Sequence, residues 1–200
     1  MRLVIDIGNT NTKIGLFQGE TLSSILNIKE CNLKKVQQFV GKLKINSCII
    51  SSVQKINAEI LSIVDYYKAI ILTENTKLPI KNLYKTPDTL GSDRLALVVG
   101  AYVLYPNKDI IVFDAGTCLT LDIINRNGEY LGGRISPGIS MRYTSLNTFT
   151  DKLPLVKKEN IVPAIGIDTD LSIISGVQNG ILSEVKSIIS EYRLKKPNTI

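Results

Sequence analysis

The chain opens with apolar runs that are separated by clusters of turn-forming residues. Residues 3–7 are apolar except for Asp6, residues 14–17 are apolar again, and Gly, Asn and Thr fill most of the interval. Gly19 closes a further turn before a third segment at 22–28. Short apolar runs bounded by such residues are typical of β-strands joined by tight turns. The pattern therefore predicts a three-stranded antiparallel meander at the start of the chain.

The opening pattern occurs a second time. The Asp-x-Gly motif of residues 6–8 returns 108 residues later at 114–116, after an apolar run at 110–113. The Gly-Glu pair at 19–20 returns 109 residues later at 128–129. Two nearly equal offsets, both at turns, indicate an internal duplication in which each half begins with a β-meander.

Helices and further strands are predicted between and after the two meanders. Helical spacing of apolar residues predicts helices, and short apolar runs predict strands: helices at 32–43, 56–67, 92–105 and 171–192, strands at 48–53 and 69–72. We expect an α/β fold with two related lobes, residues 1–106 and 107–200, each a mixed β-sheet with packed helices. The helix at 92–105 is apolar almost all round, so we expect the sheet or a partner subunit to cover both its sides.

Composition excludes several classes of function. The chain has no His, which excludes Ser-His-Asp and Cys-His catalysis and an imidazole zinc site. Its three cysteines share no CxxC spacing, and we expect reduced thiols in the core. The net charge of +6 is scattered and only 6% of the residues are aromatic, so small anions are better indicated than nucleic acid. No apolar run approaches the roughly 20 residues that cross a membrane, and we expect a cytoplasmic protein.

The first hairpin turn carries candidate chemistry. A turn of small polar residues after Asp6 can present backbone N–H groups to phosphate, and Lys13 can add a positive charge. Asp6 suits a magnesium ion held through water, because that ion keeps several waters and uses one or two carboxylates. The alternative is an ordinary hairpin turn, which the same residue types favour. The second copy favours phosphate binding, since two hairpins could clamp a polyphosphate from both sides. P-loop and GxGxxG motifs are absent.

A third candidate segment precedes the apolar helix. Residues 91–94, Gly-Ser-Asp-Arg, open that helix, and the N–H groups of a helix start favour an anion nearby. Asp93 at this position is either a favourable helix-start charge or a carboxylate that orients a substrate hydroxyl for attack on phosphorus. Phosphoryl transfer depends mainly on positioning and charge neutralisation, so a carboxylate can serve without His.

These motifs, in this order and spacing, resemble those of the type III pantothenate kinases, members of the acetate kinase/sugar kinase/Hsp70/actin superfamily. The motifs are Asp6-x-Gly8-Asn9-Thr10-x-x-Lys13, Gly91-x-Asp93-Arg94, Asp114-x-Gly116-Thr117, Pro137-Gly138-Ile139 and Gly166-x-x-Thr169-x-x-Ser172-Ile173-x-Ser175-Gly176. The resemblance implies a duplicated actin-like (ribonuclease H-like) two-lobed fold. It also implies ATP-dependent phosphorylation of pantothenate to 4'-phosphopantothenate, the first step of coenzyme A biosynthesis.

The resemblance also implies a set of site residues. ATP-binding positions are Asp6, Ile7, Gly8, Asn9, Thr10, Asn11, Thr12, Lys13 and Thr117. Pantothenate-binding positions are Tyr84, Gly91, Ser92, Asp93, Arg94 and Thr169, with Asp93 as the proton acceptor. Asp114 matches a ligand of a monovalent cation, potassium or ammonium, and magnesium accompanies ATP. In the family, Thr169 completes the site of the partner subunit, which implies a homodimer.

The sequence departs from the family pattern at two places. The family continues past the long helix into another strand and a Thr-Gly-Gly adenosine turn, whereas this sequence ends at 196–200, so we expect those C-terminal elements to be missing from it. Asp168 also stands where a neutral or basic residue is expected.

Two alternatives to a kinase stay open at this point. A non-catalytic regulatory or accessory relative of the same fold should lose Asp6, Asp93 or Arg94, all of which this chain keeps. A filament-forming or chaperone-like ATPase needs inserted subdomains, for which 200 residues leave no room.

Overall fold

The computed structural model describes residues 1–200 and divides into two compact units. The N-terminal unit comprises Met1–Pro79 and Tyr84–Gly100, and the C-terminal unit comprises Ile80–Leu83 and Ala101–Ile200. Each unit is built on its own mixed sheet, which confirms the α/β fold class. No helix combines the length and the apolar character that a membrane crossing requires.

The sheet of the N-terminal unit has five strands in the order β3-β2-β1-β4-β5. The strands are β1 (Arg2–Ile7), β2 (Thr12–Gln18), β3 (Thr21–Ile28), β4 (Ser47–Ser52) and β5 (Ile70–Ile71). The first three strands form the predicted antiparallel meander. On the other side of β1, β4 pairs with β1 and β5 pairs with β4, both in parallel. The meander is therefore confirmed, whereas β5 is shorter than the predicted strand.

Two capped helices pack on this sheet. Helices α1 (Leu33–Val40) and α2 (Ala58–Tyr67) each begin after an Asn, and the side chains of Asn32 and Asn57 accept hydrogen bonds from the backbone N–H groups of the first turns. Such caps satisfy backbone donors that a helix start otherwise leaves without a partner. The apolar faces of both helices join the buried strand residues in one core, which includes Leu3, Ile5, Ile14, Val36, Cys48, Ile50, Ile60 and Ile63.

Cys48 confirms one of the predicted core thiols. It is 3% exposed in β4, and burial raises the pKa of its thiol to about 12. A thiol with that pKa stays protonated at neutral pH and acts as a small apolar side chain.

Helix α3 (Ser92–Leu104) follows a loop that contains a short 3₁₀ turn (Pro87–Thr89). Its first turns bury Arg94, Leu95 and Val98. At its other end Val103 and Leu104 are 62% and 74% exposed. The covering of this end by a partner subunit therefore stays a prediction.

The sheet of the C-terminal unit has four strands in the order β6-β9-β8-β7. The strands are β6 (Lys81–Asn82), β7 (Ile110–Ala115), β8 (Cys118–Ile124) and β9 (Glu129–Pro137). The last three form the second antiparallel meander, which confirms the predicted duplication, and β6 pairs with β9 in parallel. Ile200 extends the sheet at β7, because it donates to the Asp109 carbonyl and accepts from the Ile111 N–H, as one residue of a parallel ladder does.

Two helices complete the C-terminal unit. Helices α4 (Ile139–Thr148) and α5 (Thr169–Lys195) share a small core of Tyr143, Ile173, Ile174 and Val177. The long α5 was predicted, whereas α4 was not.

An ion-pair cluster fixes the segment that enters β7. The carboxylate of Asp109, only 4% exposed, accepts from the Arg126 guanidinium at 2.8 and 3.1 Å and from Lys196 Nζ at 2.7 Å. The cluster joins the start of β7 to the β8–β9 turn and to the end of α5.

Candidate active site

The first hairpin is a tight, largely exposed turn. Ile7 and Thr12 are the last residues paired across β1 and β2, and residues 8–11 form the turn between them. The Gly8 N–H donates to the Asn11 carbonyl at 3.0 Å, and a Cβ on Gly8 would lie 3.0 Å from that oxygen. Asn9, Thr10 and Asn11 are exposed, while Thr12 is 2% exposed. The turn thus presents exposed polar groups next to the buried side chains of Ile7 and Thr12.

Opposite charges lie side by side at the base of this turn. Asp6 of β1 is paired across the ladder with Lys13 of β2 on one side and with Ser51 of β4 on the other. Residues directly opposite one another in a sheet share a face. That face is distinct from the one on which Ile5 and Ile7 enter the core. A carboxylate, an ammonium and a hydroxyl therefore stand in one row across three strands.

Hydrogen bonds from Ser92 join the start of α3 to the end of β4. The Ser92 Oγ accepts from the Ser52 N–H at 3.1 Å, donates to the Ser52 carbonyl at 3.0 Å and lies 3.1 Å from the Ser51 Oγ. Because Ser51 is opposite Asp6, these bonds bring the start of α3 to the sheet face that carries Asp6. Asp93 follows immediately and is half-buried.

The surroundings of Asp93 hold its carboxylate in place. Its Oδ1 accepts from the Arg94 N–H at 2.7 Å. A Cβ on Gly91 would lie 2.5 Å from the same oxygen, so a larger residue there would displace the carboxylate from this position. Arg94 is 5% exposed, and its guanidinium carbon lies 5.7 Å from the centre of the Tyr84 ring, within cation–π distance. Five of the six residues predicted to bind pantothenate, all except Thr169, therefore belong to one small region of the N-terminal unit.

The second hairpin has its own close neighbour in the C-terminal unit. The Gly116 N–H donates to the Cys118 carbonyl at 2.9 Å, and Thr117 at the tip is exposed. The Gly138 N–H donates to the Thr117 carbonyl at 3.1 Å, and a Cβ on Gly138 would lie 2.3 Å from the Gly116 carbonyl oxygen. The start of α4 therefore lies directly against the turn. Asp114, at the end of β7, is half-buried.

Gly138 lies directly against the second hairpin, a position that the motifs alone did not predict. The Pro137-Gly138-Ile139 motif was the available signal, since a Gly before a helix can mark a close approach of two backbone segments.

Thr169 lies elsewhere in the same unit. It is the exposed first residue of α5 and lines an open groove of about 840 Å³ between α4, the start of α5 and the segment before it. The neighbouring Asp168 caps the helix, because its Oδ1 accepts from the Leu171 N–H at 2.8 Å. This contact explains the acidic residue at a position where the family pattern led us to expect a neutral or basic one.

The carboxylates beside the two hairpins suit metal ions that take most of their ligands from water and substrate oxygens. No group of three or more His, Cys, Asp or Glu side chains that could enclose a metal occurs in the chain. Asp6 and Asp114 each offer a single carboxylate beside a turn of backbone and hydroxyl groups. Mg²⁺ commonly uses one or two carboxylates together with waters and substrate phosphates, which is compatible with Asp6.

Comparison with known proteins places these features in a family. A family model described as type III pantothenate kinase matches residues 2–191. The type III pantothenate kinase of Bacteroides fragilis is 38% identical over 100% of this chain and 83% of its own length. That of Christiangramia forsetii is 42% identical over 98% of this chain and 82% of its own length.

A solved structure agrees with the fold. A Campylobacter jejuni protein, described as a conserved Baf family transcriptional activator, aligns with 92% of this chain and 78% of its own, with a TM-score of 0.57. Its sequence identity is 24%, so this likeness concerns the fold alone. The family match over residues 2–191 and the identities to these two relatives carry the assignment: the chain belongs to the type III pantothenate kinase family.

Proposed function

We propose that the protein transfers the γ-phosphoryl group of ATP to the primary hydroxyl of pantothenate, giving 4'-phosphopantothenate in the first step of coenzyme A biosynthesis. The observation that carries the proposal is the set of hydrogen bonds between Ser92 and the end of β4. These bonds hold the start of α3, to which Asp93 belongs, against the end of β4, where Ser51 lies opposite Asp6. Family membership supplies the substrate.

The first hairpin would hold the phosphates of ATP. The N–H groups and side chains of residues 8–11 line the turn, and Lys13 adds positive charge. Asp6 would hold the magnesium ion that accompanies ATP, through water, and Thr117 of the second hairpin would add another contact. The support is the row formed by Asp6 and Lys13 at the base of an exposed polar turn.

Asp93 would accept the proton of the substrate hydroxyl. As the pantothenate oxygen forms its bond to the γ-phosphorus, the bond between that phosphorus and the β–γ bridging oxygen breaks, ADP leaves, and the hydroxyl proton passes to the Asp93 carboxylate. Tyr84, residues 91–92 and Arg94 would bind pantothenate. The support is the half-buried position of Asp93 and the fixed neighbour pair of Tyr84 and Arg94.

Asp114 would hold a monovalent cation, potassium or ammonium. When bound, that ion supplies positive charge that offsets phosphate charge. The donor chemistry of the second hairpin fits it, since a half-buried carboxylate stands beside a turn of carbonyl and hydroxyl oxygens.

A homodimer in which Thr169 completes the partner's pantothenate site is the last part of the proposal. Residues before α5 support it: Ile161, Ile165 and Ile167 are 89%, 80% and 91% exposed. Apolar side chains exposed together in this way are typical of interaction surfaces. A sizing measurement tests this part, with twice the chain mass expected and a monomer in an active preparation contradicting it.

Release of ADP, measured with and without pantothenate, tests the reaction. We expect ADP release that requires pantothenate and is lost in Asp93→Asn. Hydrolysis that pantothenate does not stimulate would indicate an ATPase, and the absence of any turnover in folded protein would favour the regulatory relative. Either result overturns the proposal.

A further inference from the structure

An unbroken path of hydrogen bonds runs through the end of β4, from the first hairpin to the start of α3. At one end, the Gln54 side-chain amide donates to the Gly8 carbonyl at 2.7 Å. In the middle, the Ser52 Oγ accepts from the Gln54 N–H at 3.2 Å and donates to the Gln54 carbonyl at 3.0 Å. At the other end, the Ser52 N–H donates to the Ser92 Oγ at 3.1 Å.

We propose that Gln54 and Ser92 are positioning residues that fix the distance between the phosphate-binding turn and Asp93. The inference rests on the proposed function. Gln54 contacts the turn through its hydrogen bond to the Gly8 carbonyl, and Ser92 is the first residue of α3. Both residues are hydrogen-bonded to Ser52. We expect the loss of either side chain to lower kcat even though neither side chain contacts a substrate.

The contacts of Ser92 account for the whole bonding capacity of its hydroxyl. A serine hydroxyl has one proton to donate and two lone pairs to accept with. The Ser92 Oγ has three partners within 3.1 Å, all at the end of β4. The substrate contact that the family resemblance implies at this position is therefore assigned to the backbone at the start of α3 and not to the hydroxyl.

The chemistry explains why such a connection matters. Phosphoryl transfer leaves the protein little covalent work, and its rate depends on how the donor phosphate and the attacking hydroxyl are held. A misplacement of about 1 Å by a change away from the reacting atoms can lower a rate by about 100-fold. The path joins segments 46 and 40 residues apart in sequence. It adds side-chain contacts to Gly8 and to the start of α3 beyond the backbone ladder, in which Ile7 pairs with Ser52 and the Val53 N–H donates to the Ile7 carbonyl at 3.0 Å.

The test uses Ser92→Ala, Gln54→Leu and the double variant in the full chain. We expect each single change to lower kcat by about 10- to 100-fold, with KM for both substrates changed by less than about threefold. Because either change already breaks the path, we expect the double variant to lose little more than the worse single one. Ser92→Thr keeps a hydroxyl and should restore most of kcat.

A matched control separates positioning from general destabilisation. Ser62→Ala removes an exposed hydroxyl that donates within α2 to the Glu59 carbonyl, and we expect kcat to stay unchanged. Normal kcat in both Ser92→Ala and Gln54→Leu overturns the inference, as does a loss of activity that only follows the unfolded fraction in a thermal melt. Failure of the wild-type chain to use pantothenate would instead overturn the proposed function, so the two failures are distinguishable.

Discussion

The two hairpins are copies of one structural unit that carry different charges. In both, an Asp is the second-last residue of the first strand of a meander. Asp6 is opposite Lys13, whereas Asp114 is opposite Thr120. Four residues separate the last pair of the first hairpin, and three separate Ala115 from its partner Leu119. The duplication has kept the backbone arrangement, and the cross-strand position decides whether a cation or a neutral hydroxyl accompanies the carboxylate.

The strands beside the two hairpins differ as well. In the N-terminal sheet, β1 is flanked by the full strand β4, whose last two serines bond to the start of α3. In the C-terminal sheet, β7 has Ile200 as its parallel neighbour among residues 1–200. The first hairpin thus has the start of α3, which carries Asp93, beside it. The second hairpin instead contacts the start of α4, where the Gly138 N–H donates to the Thr117 carbonyl.

The largest expected effect is at Asp93. In Asp93→Asn the proton acceptor is lost, and kcat should fall by roughly 10²- to 10⁴-fold, the usual contribution of a general base. Pantothenate-dependent ADP release measures it, and the thermal melt should be unchanged. Asp88→Asn, an exposed acidic residue of the preceding 3₁₀ turn, is the matched control and should keep full activity. Near-normal turnover in Asp93→Asn contradicts the assignment.

The next effect tests the difference between the hairpins directly. Lys13→Ala removes the cation of the first hairpin, and kcat/KM for ATP should fall by about 100-fold, as for the loss of one electrostatic group at a transferring phosphate. Lys34→Ala, an exposed lysine of α1, should leave it unchanged. If the two variants behave alike, the first hairpin does not bind the phosphates.

A smaller effect is expected at the second hairpin. Asp114→Asn should abolish the response to potassium, so that the ratio of turnover with and without the ion falls to about one, because the carboxylate that holds the cation is gone. Asp6→Asn should leave that ratio unchanged and shift the magnesium dependence instead. A potassium series on both variants, with ionic strength held constant, makes the comparison. A potassium response retained in Asp114→Asn would place the monovalent site elsewhere.

The smallest effect concerns stability alone. Burial raises the pKa of Asp109, but hydrogen bonds from Lys196 and Arg126 lower it by more, so the pKa of this carboxyl lies below its ordinary value of 3.8. Its contribution is therefore complete above about pH 4 and is lost as the pH falls through the lower, folded-state value. Asp109→Asn should lower the free energy of unfolding by about 1.5–3 kcal/mol at neutral pH, the range for hydrogen bonds to charged groups.

Urea unfolding across a pH series checks this last prediction. The difference between the wild type and Asp109→Asn should shrink as the pH falls below about 4, because the Asp109 carboxyl then binds its proton in the unfolded chain while it is still charged in the folded one. Asp151→Asn, at an exposed position, serves as the control. A difference that stays constant down to pH 2 would mean that the ion pairs add nothing.

Sequence alone sufficed for the parts of the fold with strong local signals. Alternating apolar runs and turn residues predicted both meanders, and helical spacing predicted α1, α2, α3 and α5. Helix α4 was missed because its apolar residues do not form a clear stripe, as its many polar side chains indicate. Strand β6 has two residues and depends on pairing with β9, which is distant in sequence.

The sequence predicted individual residues of the candidate site but not the hydrogen bonds that position them. Motifs pointed to Asp6, Lys13 and Asp93, yet nothing local to Gln54 or Ser52 indicates that they connect the hairpin to α3, since their partners are distant in sequence. Asp168 was a missed local signal, because an Asp directly before a helical stripe is a common N-cap.

Phosphorus NMR of the reaction mixture tests the central claim most directly. Wild-type protein with ATP, magnesium, potassium and pantothenate should produce a phosphate monoester of pantothenate in an amount equal to the ADP formed, and Asp93→Asn should produce neither. Inorganic phosphate in place of the monoester, or an unchanged rate of ester formation in Asp93→Asn, would contradict the account.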